Sequence, residues 1–132
     1  MNPKRTNNSK YTIDRKRNVC EILVEGNDSL DKVLDRYNDI LNDGEWRCGM
    51  NVIVDFRGVN SLTLSGQDLE ILSYHHRRLS DRIGRGILCF ITKKGYLYGS
   101  CRIFGFWAGK GGREVHVCQS KDEAMKILSH KD

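Results

Sequence analysis

The chain has 132 residues, of which 39% are hydrophobic and 30% charged, and its formal net charge is +5. A chain of this length buries roughly two-thirds of its unfolded surface in one domain, so its core needs neither a disulfide nor a metal. The composition excludes intrinsic disorder, no apolar run nears the roughly 20 residues that cross a bilayer, and the polar amino terminus is not a secretory signal.

The predicted elements begin after a basic tail. Residues 1–10 are polar and are predicted to be disordered, and a single domain is expected over residues 11–132. Residues 1–17 hold six basic residues and one aspartate, so this segment carries the whole net charge of +5. The β-rich segments 11–14 and 19–25 then predict a hairpin, with Asn18 in the left-handed position of its turn.

An amphipathic helix follows the hairpin, because apolar residues recur there with the helical period: Leu30, Val33, Leu34, Tyr37, Ile40 and Leu41. Further strands are predicted at residues 50–56, 86–92 and 114–118, and further helices at residues 66–82, 96–108 and 121–130. The last helix begins with Ser120 and Glu123 at capping-box spacing. The order ββαβαβαβα predicts an α/β fold, with a mixed β-sheet covered by helices.

Charge is segregated within the domain. Residues 28–45 contain six acidic and two basic residues, a balance of −4, whereas residues 75–94 contain six basic residues and one aspartate, a balance of +5. The pattern predicts one acidic and one basic face. Such faces can steer a partner, and solvated helix surfaces are the alternative interpretation.

The spacing of the cysteine and histidine residues does not indicate a metal site. The five cysteines are odd in number and lack C-x-x-C spacing, which is typical of reduced thiols in a cytoplasmic protein. His116 and Cys118 share a face of one predicted strand, but no second ligand pair is evident. The sequence therefore predicts no metal and no cofactor.

Recognised catalytic patterns are also missing. No Ser-His-Asp or Cys-His-Asn arrangement has local support, and residues 109–112, GKGG, lack the Walker spacing and predict a simple turn. His75 to Arg78 are interpreted as an exposed basic helix face, with a contact to an anion or an acidic partner as the alternative. The body has no zinc or helix-turn-helix signature, so a nucleic-acid partner is not expected. The protein is predicted not to be an enzyme.

The most informative segment follows the strand at residues 50–56. A loop at the carboxyl end of a central strand carries the functional surface in many α/β domains. The predicted loop at residues 57–65 is rich in amides and hydroxyls without a catalytic partner, which favours protein recognition. The predicted partner-binding residues are Arg57, Asn60, Ser61, Thr63 and Ser65.

An alternative site lies in the aromatic segment near residues 96–107. Core packing is one interpretation of its five aromatic residues. The other is an apolar pocket for a small lipophilic ligand, lined by Tyr98, Arg102 and Trp107. The alternative function is therefore that of a ligand-binding or carrier domain.

Three segments carry a resemblance to a known family. Residues 52–59, VIVDFRGV, resemble the central strand of STAS domains, the family of anti-sigma factor antagonists. Residues 98–102, YGSCR, followed by Phe104, and residues 114–128, EVHVCQSKDEAMKIL, are similar to the divergent SpoIIAA-like branch. The resemblance implies a bacterial cytoplasmic regulator that binds another protein, such as a kinase or a signalling regulator. It leaves the oligomeric state open.

The resemblance also points to candidate phosphorylation sites. In the family a partner kinase phosphorylates a serine at the start of the helix after the central strand, and the added charge switches binding. The family's Asp-Ser-Ser-Gly run falls on Thr63, Leu64, Ser65 and Gly66. Leu64 occupies the usual acceptor position, so Ser65 and Thr63 are the candidates. Ser65 as a plain helix cap is the alternative.

Overall fold

A computed structural model describes residues 3–93, 101–102, 105 and 113–130. Six strands form one sheet whose spatial order follows the sequence. The strands are β1 (Lys4–Thr6), β2 (Ser9–Asp14), β3 (Val19–Ser29), β4 (Asn51–Thr63), β5 (Leu88–Ile91) and β6 (Val115–Cys118). The helices are α1 (Leu30–Leu41), α2 (Gly66–Arg78), α3 (Ser80–Ile83) and α4 (Lys121–Ser129). The prediction of an α/β fold with a mixed sheet is confirmed.

The sheet is antiparallel at its first edge and parallel over the rest. The pairs β1–β2 and β2–β3 are antiparallel, while β3 through β6 are parallel. The predicted β2–β3 hairpin is confirmed, with Tyr11 opposite Ile22 and Asn18 at φ +58°. The parallel strands need crossover connections, and α1 and α2 supply two of them.

The helices cover the two faces of the sheet unequally. Val52 and Val54 of β4 belong to the cluster that Val33 of α1 and Leu72 of α2 pack against. Right-handed crossovers between successive parallel strands place their helices on the same face. The opposite face, which includes Ile53, is packed by α4 through its own cluster.

The segment predicted to be a disordered tail is ordered where it is described. Lys4–Thr6 forms β1 and Ser9 begins β2, so the prediction of disorder is wrong for these residues. β1 pairs with β2, and two side-chain contacts support it: Lys4 Nζ lies 2.7 Å from Asp43 Oδ2, and the Thr6 hydroxyl donates to the Asp39 carboxylate. The acidic segment 28–45 is thus partly neutralised within the molecule.

The predicted helix over residues 66–82 is divided in two. α2 ends at Arg78, and α3 ends before Gly84, which adopts φ +82°. A Cβ at Gly84 would lie 2.2 Å from the backbone nitrogen of Gly49, so only glycine fits this close approach. The chain thereby turns towards β5.

Of two other predicted helices, one is only partly described and one lacks a predicted capping bond. Cys101, Arg102 and Gly105 are helical, and the rest of the helix predicted over residues 96–108 lies outside the described residues. In α4 the Ser120 hydroxyl accepts from the Glu123 amide at 3.1 Å as predicted, but the Glu123 carboxylate accepts from Gln119 instead of Ser120. Across the described helices, none combines the length and apolar character that spanning a bilayer requires.

A buried ion pair links the carboxyl end of β3 to α1. Asp28 and Arg36 are 1% and 4% exposed, and Arg36 Nη2 donates to Asp28 Oδ1 at 2.8 Å. Arg36 Nε also donates to the Ser9 hydroxyl at 2.8 Å, and Asn8 accepts a further bond. Because the guanidinium and the carboxylate are both bonded, their burial is tolerated.

Candidate functional site

The predicted recognition loop is mostly a strand. β4 continues to Thr63 and pairs in parallel with β3 as far as Ser29. The two register shifts in this pairing, between Leu23 and Glu25 and between Gly26 and Asn27, mark bulges or irregularities. The prediction of a loop over residues 57–65 is therefore wrong for residues 57–63, which we call the β4 arm.

The polar composition of the β4 arm explains the error. β5 pairs with β4 only as far as Asp55, so among the described strands the arm is paired with β3 alone. Its side chains therefore face water more than core, and the hydrophobic alternation that reveals a strand is lost. Polarity here reflects exposure, and does not indicate a loop.

The structure places four predicted binding residues on the β4 arm. Arg57, Asn60, Ser61 and Thr63 are all exposed. Arg57 forms a bidentate pair with Asp55, at 2.8 and 3.0 Å, and this pairing lowers the pKa of the Asp55 carboxyl against the raising effect of its partial burial. Ser61 donates to the Asn27 side chain at 2.7 Å. The arm is thus held by side-chain bonds at two points.

Ser65, the fifth predicted residue, caps α2. Its hydroxyl accepts from the Asp68 amide at 3.0 Å, and the Asp68 carboxylate accepts from the Ser65 amide at 3.1 Å. This reciprocal pair is a capping box. It satisfies backbone donors that the first helical turn would otherwise leave without partners.

We expect Ser65→Ala to destabilise the protein by about 1 kcal/mol, because a lost N-cap costs about that amount. Chemical denaturation monitored by circular dichroism measures the change. Thr63→Ala is the matched control, since its exposed side chain precedes the helix, and it should leave the midpoint unchanged. Equal midpoints for Ser65→Ala and wild type would contradict a stabilising capping box.

The outer surface of α2 was missed by the sequence analysis. Ile71 and Tyr74 are 40% and 58% exposed, and the guanidinium carbon of Arg78 lies 5.8 Å from the centre of the Tyr74 ring. Ile71 and Tyr74 fall outside the buried stripe of Leu69 and Leu72. The helical period of the sequence already places Ile71 and Tyr74 away from this stripe, so it could have identified them as an exposed apolar pair.

The adjacent histidines of α2 have different environments. His76 is 2% exposed and shares a hydrogen bond of 2.8 Å with the Tyr37 hydroxyl. Burial, and then the nearby Arg113, Arg77 and His75, lower the pKa of His76 to about 4. The prediction of an exposed basic face is wrong for His76 because the helix turns it towards α1.

The remaining predicted features give no chemical centre. Arg102 is exposed, while Tyr98 and Trp107 lie outside the described residues, so the pocket near residues 96–107 stays a prediction. His116 pairs with Glu114 at 2.5 Å on the protein surface. Over the described ranges, no three His, Cys, Asp or Glu side chains converge in a way that could hold a metal ion.

Comparisons with known proteins add one structural likeness. A scan of family models and a search of curated proteins each find no match. Among solved structures, the chain is similar to an uncharacterized protein of the DUF3478 family, with a SpoIIAA-like fold, from Shewanella loihica PV-4. The TM-score is 0.54 at 13% sequence identity, covering 96% of this chain and 90% of the other. The fold is therefore SpoIIAA-like, as the sequence resemblance predicted.

Proposed function

We propose that the protein is a cytoplasmic, non-enzymatic STAS-like regulatory module that binds another protein through the β4 arm and the outer surface of α2. The SpoIIAA-like fold supports the class of protein. The observation that supports this choice of surface is the exposure of Tyr74, at 58%, beside Ile71, at 40%. Tyrosine is enriched among residues that dominate binding energy.

The energetics of this surface favour a protein partner. Ile71 and Tyr74 lie one turn apart, so a partner could cover both with one apolar surface. Arg78 lies over the Tyr74 ring, an arrangement that favours one orientation of both side chains. A surface that is ordered before binding loses less conformational entropy on association.

The charge beside this pair suggests an acidic partner surface. Arg77 and Arg78 are exposed in the last turn of α2. A basic patch of this kind raises the rate of association with an acidic surface and excludes basic partners. The β4 arm would add hydrogen bonds from Arg57, Asn60, Ser61 and Thr63, and Ser65 would add one from the start of α2.

Phosphorylation would act differently at the two candidate positions. A phosphate on Ser65 would lie beside the Asp68 carboxylate, which is already bonded to the Ser65 amide at 3.1 Å, and like charges would weaken the cap. Thr63 is exposed and precedes the helix. We therefore favour Thr63 as the position that a partner kinase would modify without disturbing α2.

We expect Tyr74→Ala to weaken partner binding at least tenfold and to leave the melting temperature nearly unchanged, since truncation of an exposed side chain has little effect on folding. Arg57→Ala should also weaken partner binding and leave the melting temperature nearly unchanged. The tagged protein is used to isolate its partner from the source cells, and the dissociation constants of wild type and variants are then measured by calorimetry.

Leu23→Ala is the matched control for the α2 surface, because Leu23 is a similarly exposed apolar residue, 39% exposed, that lies on β3 and not on α2. It should retain wild-type affinity. Equal affinity for wild type and Tyr74→Ala would show that the α2 surface is not the interface. A melting temperature that collapses in Arg57→Ala would show instead that the arm residue is structural.

A further inference from the structure

A cavity of about 90 Å³ lies in the core between the sheet and α1. Its walls are mainly apolar and include Val54 of β4, Phe90 of β5 and Ile40 of α1. An apolar cavity of about 150 Å³ is large enough to hold benzene. The present cavity is smaller and suits a ligand of only a few non-hydrogen atoms.

Most polar side chains on the cavity wall already have partners. Arg36 is paired with Asp28, and Tyr37 is bonded to His76. These groups need no ligand to compensate their burial. Arg113 is the exception.

Arg113 is a buried cation without a counterion among the described residues. It is 4% exposed, its Nη2 donates to the Met50 carbonyl at 3.1 Å, and its buried Nε has no hydrogen-bond partner within the described part of the chain. No carboxylate of the described ranges pairs with it. Residues 94–112 contain no aspartate or glutamate, and the one acidic side chain outside the described ranges is Asp132. Burial lowers the pKa of Arg113 to about 10, yet the group stays charged at neutral pH. An unpaired buried charge strongly favours an anion beside it.

We propose that this cavity binds a small aliphatic monocarboxylate, with the carboxylate against Arg113 and the short apolar chain between Val54 and Ile40. A guanidinium matches a carboxylate through two parallel N–H donors. A phosphate fits less well, because it brings up to two charges and three strong acceptors to walls with one unpaired cation. This site is separate from the proposed protein-binding surface, so either can fail without the other.

The wild-type protein provides the first test, by ¹H–¹⁵N NMR with propionate as the probe. We expect saturable shifts of the Arg113 Nε–H signal and of the Val54 and Ile40 amides. Propionamide has the same shape without the charge, and chloride at equal ionic strength has the charge without the chain. Both should bind at least tenfold more weakly. No saturable shift with propionate, or equal responses to propionamide or chloride, would overturn the proposal.

Arg113→Met tests the anchoring residue, because methionine retains much of the aliphatic stem and removes the charge. Replacing a buried ion by an apolar side chain of similar volume is often tolerated, so the variant should fold and lose propionate binding at least tenfold. Arg85→Met removes an exposed charge and should bind as wild type does. Wild-type affinity in folded Arg113→Met would overturn the proposal, and the wild-type titrations decide it if that variant does not fold.

Discussion

Val54→Asp is expected to unfold the protein at 25 °C. Val54 is 7% exposed in the largest core cluster, and burial of a valine side chain contributes roughly 1.5–3 kcal/mol. The introduced carboxylate would be buried among apolar groups on the cavity wall that Arg113 also lines, at a cost of several kcal/mol more unless it pairs with that guanidinium or takes up a proton. Their sum approaches the roughly 5–15 kcal/mol that holds a domain of this size together. Circular dichroism and the loss of NMR chemical-shift dispersion measure the outcome.

Ile71→Asp is the matched control for that variant. It introduces the same charge in place of a β-branched apolar residue, but Ile71 is 40% exposed. Water solvates the carboxylate there, so the change in unfolding free energy should stay within about 0.5–1 kcal/mol. If Val54→Asp melted as wild type does, the assignment of β4 to the centre of the core would be wrong.

The second large effect is expected for Asp28→Ala, which should destabilise the protein by about 3–5 kcal/mol. The substitution leaves the Arg36 guanidinium buried without its carboxylate partner. It also removes an acceptor from the Asn8 amide, which lies 3.3 Å from Asp28 Oδ1. Urea denaturation with linear extrapolation gives the change in unfolding free energy.

A double variant distinguishes the broken pair from a general packing defect. In Asp28→Ala/Arg36→Met no charge is left without a partner, so stability should recover by about 2 kcal/mol or more relative to Asp28→Ala alone. An exposed pair provides the comparison: Asp55→Ala disrupts the Arg57 pair at the surface and should cost about 1 kcal/mol or less. Equal losses for Asp28→Ala and Asp55→Ala would contradict the special role of the buried pair.

Local sequence patterns predicted those elements that face the core. Apolar runs mark β4 and β5, and the helical period marks α1. In each case the pattern identifies side chains that become buried when the chain folds. Asn18 adopts φ +58° as expected for the turn, because its side chain tolerates the left-handed region. The resemblance to the SpoIIAA-like branch predicted the same arrangement that the structural likeness supports.

The predictions failed where a residue's role depends on a distant partner. β1 pairs with β2, and its Lys4 also contacts Asp43, which is 39 positions away in the chain. The β4 arm is a strand because β3 pairs with it, although its polar composition resembles a loop. A local sequence pattern shows neither that Lys4 contacts Asp43 nor that β3 pairs with the β4 arm.

The sequence by itself determined the α/β class, the positions of the buried strands and the caps of α2 and α4, because hydrophobic period and capping chemistry act over a few neighbouring residues. Only the tertiary structure decided which charges are buried. Arg36 and Asp28, counted by sequence among the charges of a predicted acidic face, form a core pair, and Arg113 lies against a cavity. Burial depends on what packs against a side chain from elsewhere in the chain, and composition does not record that.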